Sequence, residues 1–261
     1  MEFNSFTFVF LFAILTSVLA LLWLNFRQDK AIKRSFNEVP DGFKETITLE
    51  DHQKAGNYTK AKLLVNHFEI IFSTFIVLVW TIGGAMNWLD VFWSQRISNP
   101  ILMGTTFIVS IMLIASFIDL PFSIYRNFVL EQKFGFNRMT VKTFTADLIK
   151  EILLTLILMI PLIYAILYLM NISSIGDYWW IYVWVIISLF TLTMMWIYPS
   201  FIAPIFNKFN PLDNDALKSR INNLLERTGF GSDGIFVMDG SKRSSHGNAY
   251  FTGIGKNKRI V

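Results

Sequence analysis

The chain has 261 residues, of which 53% are hydrophobic, 16% aromatic and only 16% charged, with a net charge of +4. A water-facing surface needs about a quarter of its residues charged, so this composition excludes an ordinary soluble domain and points to lipid. The absence of cysteine excludes disulfides, thiolate metal sites and a cysteine nucleophile.

Five apolar stretches are long enough to cross a hydrocarbon core about 30 Å thick, which takes about 20 helical residues. They are residues 6–24, 68–86, 101–124, 149–170 and 179–197. The first reads as a retained membrane helix rather than a cleaved leader. Its start, MEFNS, holds no Lys or Arg, and no small-residue cleavage site precedes Asn25-Phe26-Arg27.

Basic residues sort by loop. Residues 25–67 carry Arg27, Lys30, Lys33, Arg34, Lys44, Lys54, Lys60 and Lys62, whereas the next loop offers Arg96 alone. Arg126, Lys133, Arg138 and Lys142 follow the third span, and the loop after the fourth has no basic residue. Positive residues mark cytoplasmic loops. The alternation therefore predicts an N-terminus outside, cytoplasmic first and third loops, and a cytoplasmic segment after residue 197. Because the charge follows topology instead of forming a patch, nucleic acid is not an expected partner.

The long first loop, about residues 25–67, holds a capping box at Thr48-Leu49-Glu50-Asp51, from which a helix should run through Tyr58 and Leu64 into the second span. Glu69 then lies near the membrane entrance, where interfacial placement accounts for it. Asp119, ahead of Pro121 at the cytoplasmic end of the third span, is either a functional intramembrane carboxylate or an interfacial one that a neighbour such as Arg126 pairs.

Beyond the fifth span, Pro199, Pro204 and Pro211 break the helical pattern. Residues 213–228 read as an amphipathic helix, with Leu217, Ile221, Leu224 and Leu225 on one face and Gly229 as its C-cap. Residues 234–238, 249–252 and 259–261 are strand candidates, the last two joined by a turn over residues 255–258. The apolar end Arg259-Ile260-Val261 then presents an unpaired edge, which proteins normally cover or charge.

The three histidines are His52, His67 and His246; no two are spaced i, i+4 and no HExxH occurs. His52 and His67 read as structural or solvated. His246 sits in a loop between strands, where functional residues concentrate. Phosphate loops, nucleophile elbows and lipidation signals are missing from the sequence. On the residues alone this is a five-span membrane protein with a cytoplasmic α+β segment and no complete catalytic site.

Three blocks carry a resemblance: DLPFSIYRNFVLEQKFGFN (residues 119–137), YPSFIAPIFNKFNPL (198–212) and VMDGSKRSSHGNAYFTGIGKNKRIV (237–261). They resemble the CAAX prenyl protease 1 family, the Ste24-type integral-membrane zinc metalloendopeptidases of peptidase family M48. The likeness implies an α-helical integral membrane fold of seven spans in the complete family protein, here five, enclosing a water-filled chamber closed by a zinc protease domain. Residues 1–200 would be the membrane domain and residues 201–261 the start of the peptidase domain.

In the family the zinc helix, HExxH, follows shortly after the GKNKRIV block. The resemblance therefore implies a chain truncated before its metal centre, holding no catalytic or metal residues, binding no zinc and inactive alone. Another chain, or the missing C-terminal part, would complete it. Zinc in the complete protein would act as a Lewis acid, lowering the pKa of its bound water to about 7. What carries over is a substrate-receiving edge strand, assigned to Asn248, Ala249 and Tyr250, continued by Phe251 and flanked by His246. A strand start after a loop is the plainer alternative for these residues.

Lys242, Arg243, Lys256, Lys258 and Arg259 are expected on a solvated or membrane-apposed face. The implied partners are a peptide or protein substrate and the bilayer. The rival function is a non-catalytic membrane scaffold or carrier that retains the chamber.

Overall fold

The computed structural model describes residues 4–253 and 258–261. Five of its helical stretches are long and apolar enough to span a membrane. The chain folds as two compact units, one formed by Met1–Arg96 with Leu120–Leu130, the other by Ile97–Asp119 with Glu131–Val261.

In the first unit, helix α1 (Ser5–Ser35) begins on Asn4, whose side chain accepts from the Thr7 amide at 3.0 Å. The apolar stretch ends at residue 24, but the helix continues to Ser35, because Arg, Gln and Lys propagate a helix as well as Leu does. Helix α2 (Leu49–Thr81) starts where the capping box predicts, with Thr48 Oγ1 accepting from the Asp51 amide at 3.1 Å and donating to its carboxylate at 2.7 Å. One 3₁₀ turn, Asp41–Phe43, lies between them.

The two helices pack closely. A Cβ built on Gly56 of α2 would stand 3.1 Å from the Phe36 ring. His52 Nε2 lies 2.7 Å from the Ser35 carbonyl, and His67 Nδ1 lies 2.6 Å from that of Leu63. Asn25, buried in α1, accepts from Asn66 Nδ2 at 3.2 Å.

Helix α2 does not follow the second apolar stretch to residue 86. It stops at Thr81, and Gly84, at φ +78°, turns the chain into a short helix α3 (Ala85–Ser94). Only glycine takes that conformation cheaply.

Helix α4 (Pro100–Tyr125) contains Pro121 and loosens into a π-helical turn over Arg126–Glu131. Glu69 receives Arg126 there, with Nε 2.6 Å and Nη2 2.5 Å from Oε1. This cross-helix partner lies 57 residues away, beyond the reach of any spacing rule.

In the second unit the single turn α5 (Gln132–Phe134) ends on Gly135, at φ +79°. Helix α6 (Val141–Asn171) is capped by Thr140, which accepts from the Thr143 amide at 3.1 Å. Helix α7 (Trp179–Ile197) follows a 3₁₀ segment, Ser173–Tyr178.

Pro199 and Pro204 do not end the helical run, as the sequence suggests. The chain passes through a π-helical turn, Tyr198–Ile202, into α8 (Ala203–Phe206), with Pro204 near the α8 start, where a missing N–H costs nothing.

Strand β1 (Phe209–Pro211) pairs antiparallel with β2 (Phe236–Met238), setting Asn210 opposite Val237. Between them runs α9 (Asp215–Thr228), two residues shorter at its start than the pattern predicts, because Asn214 caps it by accepting from the Leu217 amide at 2.9 Å. Gly229, at φ +64°, closes it as expected. Strand β3 (Phe251–Thr252) pairs antiparallel with β4 (Arg259–Ile260); of the predicted turn between them, residues 255–257 lie outside the described residues.

The β4 edge is not bare. Ile260 donates to the Gly234 carbonyl at 3.1 Å, and Ile235 forms a parallel bridge with Ile260. The apolar terminus is thus flanked on both sides, which corrects the expectation of an unpaired edge.

Candidate substrate-edge site

The site begins with Arg243. Its guanidinium forms a fork on Asp147 of α6, with Nε–Oδ2 2.7 Å and Nη2–Oδ1 3.1 Å. Nη1 donates to Asn207 Oδ1 at 2.7 Å and Nη2 to the Phe206 carbonyl at 2.6 Å. Both ionic side chains are about four-fifths buried, at 21% and 18% exposure. Arg243 is therefore an internal tie, not a member of a solvated basic face. Arg259 departs from that expectation too, donating to the Pro199 carbonyl at 3.3 Å and lying over the Phe236 ring. Lys242 fits it better: it is largely exposed and pairs with Asp239 at 2.6 Å. Lys256 lies outside the described residues.

From Arg243 the chain is stitched to the segment after the π-helical turn. Arg138 donates to the Arg243 carbonyl at 3.1 Å and Ser245 to that of Phe136 at 3.0 Å, while Asn137 and Ser244 form an antiparallel bridge. His246 closes this seam. Its ring stacks on Phe136 with centroids 4.2 Å apart, and Nε2 lies 3.2 Å from Glu131 Oε2.

The strand itself comes next. Tyr250 and Val261 exchange both backbone hydrogen bonds at 2.9 Å. In an antiparallel ladder the flanking residues then aim their N–H and C=O groups the other way, so Ala249 and Phe251 face outward from β4. Asn248 Oδ1 accepts from the Ala249 amide at 2.9 Å, capping that outer edge with its own side chain. The Tyr250 hydroxyl donates to Met238 Sδ at 3.6 Å. Burial raises the Tyr250 phenol above the usual tyrosine range, and Tyr198 adds to the shift. Phe251 packs edge-on against Phe230 with centroids 5.4 Å apart.

All four residues singled out in the sequence, His246, Asn248, Ala249 and Tyr250, line one open cavity of about 490 Å³, together with Met238 and Val261. That volume lies within the range of ligand sites. The tie to Asp147 and the seam to Phe136 carry no sequence signal, since both join residues about a hundred positions apart.

These residues do not fit a zinc centre. His246 stands beside the Glu131 carboxylate, and among the described residues no group of three His, Asp or Glu side chains converges to hold a metal.

Residues 28–208 match the family model described as CAAX prenyl protease N-terminal, five membrane helices, and residues 211–261 match that of peptidase family M48. The chain is 36% identical over 239 residues to a CAAX prenyl protease 1 homolog of Caenorhabditis elegans, covering 92% of this chain and 52% of that protein. A Dictyostelium discoideum homolog is 37% identical over 249 residues, covering 92% and 57%. The crystal structure of S. mikatae Ste24p superposes with a TM-score of 0.84 at 34% identity, over 95% of this chain and 58% of that one. The chain spans about half the length of the curated relatives it matches. With both models matched in order along an integral, multi-pass helical membrane protein, the chain belongs to the CAAX prenyl protease family, whose members are M48 metalloproteases.

Proposed function

We propose that residues 246–251 form the substrate-receiving edge of a membrane-embedded zinc metalloendopeptidase acting on peptides or CAAX-type, membrane-associated proteins. Its hydrolytic centre would be built from residues other than those present here, leaving this chain inactive by itself. Residues 1–200 supply the membrane domain and residues 201–261 open the peptidase domain on the cytoplasmic side, with the N-terminus outside, as the Lys and Arg distribution supports.

The observation that carries this reading is the outward aim of Ala249 and Phe251 beside the cavity that His246 and Tyr250 line. An extended peptide can add to such an edge through main-chain hydrogen bonds. The Asn248 amide would release the Ala249 N–H as the peptide arrives.

Amide exchange with and without a CAAX-type peptide tests the edge. Exchange at Ala249 and Phe251 should slow, while Tyr250, already bonded to Val261, should not change. Protection of neither residue at saturating peptide would refute the edge and favour the scaffold or carrier reading.

A further inference from the structure

A second polar group lies inside a membrane helix and belongs to none of the machinery above. Glu151 stands within α6, in the apolar run 149–170. An ionisable residue in a spanning segment calls for a partner or a function. Its sequence neighbour Lys150 is turned elsewhere, donating to the Ile205 carbonyl at 2.9 Å.

Glu151 opens onto a cavity of about 190 Å³ between α4 and α6. The walls are two helical stripes. Met112, Leu113 and Ser116 come from α4, and Ile152, Thr155 and Leu156 from α6. Where the helices close up, a Cβ built on Gly104 would stand 2.9 Å from Leu167 Cδ1; the Ser116 and Glu151 positions lie at the opposite end of the pair.

The hydroxyls in this wedge behave differently from their neighbours. Thr105, Thr106 and Ser110 of α4 each donate to the carbonyl four residues back, at 2.7–2.9 Å. Among the described residues neither the Ser116 nor the Thr155 hydroxyl makes a hydrogen bond, and Glu151 has no cation partner. A carboxylate and two uncommitted hydroxyls thus line one cavity with aliphatic walls, Glu151 and Ser116 being exposed and Thr155 half-buried.

The carboxylate selects a cation, and the apolar stripes select a carbon stem. An ammonium group offers three donors, matching one carboxylate and two hydroxyl oxygens, whereas a planar guanidinium presents five in a rigid fork. We propose that this wedge binds a primary ammonium on an aliphatic stem, as a lysine side chain of a polypeptide presents it. The site does not depend on the substrate-edge reading.

The test is titration of the full chain, in phosphatidylcholine nanodiscs, with n-hexylammonium and with n-hexanol. Hexylammonium should bind saturably and weaken about tenfold in Glu151→Gln, and less in Thr155→Val. Hexanol should bind both variants as it binds the wild type, showing that the wedge is intact. A lysine-containing peptide should displace hexylammonium, and its norleucine counterpart should not. Equal hexylammonium affinity in wild type and Glu151→Gln, or no saturable binding, overturns the proposal. Loss of hexylammonium binding on exchanging phosphatidylcholine for phosphatidylethanolamine would assign the wedge to a lipid headgroup and overturn the polypeptide source.

Discussion

Arg243 and Asp147, 96 residues apart, form a two-pronged ion pair that fixes the segment leading into the proposed substrate edge to helix α6. Removing one partner strands the other in a site about four-fifths buried, so Asp147→Ala or Arg243→Ala should cost about 2–4 kcal/mol. Arg243→Lys keeps the charge but loses the fork and should fall between. Thermal midpoints of the singles and the double variant check this. The double should cost much less than the sum of the singles.

Acid should loosen the end of the β1–β2 pair. Lys242 holds the Asp239 carboxyl below its ordinary value of 3.8, against an opposing desolvation effect, and the Lys208 amide helps at 2.7 Å. A carboxyl depressed in the folded state contributes stability that is present above the unfolded value and lost as pH falls below it toward the folded one. The gap in thermal midpoint between wild type and Asp239→Asn should therefore close as pH drops below about 4.

Tyr250 should ionise late. Burial, with Tyr198 nearby, raises its phenol above the ordinary value of 10.0. In a difference titration of tyrosinate absorbance, the component missing from Tyr250→Phe should appear above the ordinary tyrosine range. The same variant loses only a weak bond to Met238 sulfur and should change stability by less than about 1 kcal/mol.

Thr48→Ala should remove about 1 kcal/mol from the first turn of α2, since its hydroxyl both accepts from and donates to Asp51. Amide exchange should quicken at Asp51 and leave the membrane portion of α2 unchanged.

The features legible in the sequence are those written in neighbouring residues. The Thr48 cap, the Gly229 stop and the five apolar runs each follow from a local pattern. The misreadings arise where chain neighbours stay silent. The break at Gly83-Gly84 hides inside an apolar run, and helix α1 outlasts its lipid-facing part because charged residues still form helix. Strand β1 contains Asn210 and Pro211, poor strand formers that pair only because β2 lies beside them. Arg243 looks like one more solvated cation until the fold delivers Asp147, and the outer face of β3 is defined only once Val261 takes the inner one.

The most direct measurement is hydrolysis of a CAAX-type peptide by this chain with added zinc, alone and then together with the HExxH-bearing segment of a related CAAX prenyl protease. Turnover should be absent with the chain alone, appear with the added segment, and fall when Arg243→Ala releases the edge. Zinc-dependent cleavage by the chain alone would contradict the assignment of the hydrolytic centre to residues outside it.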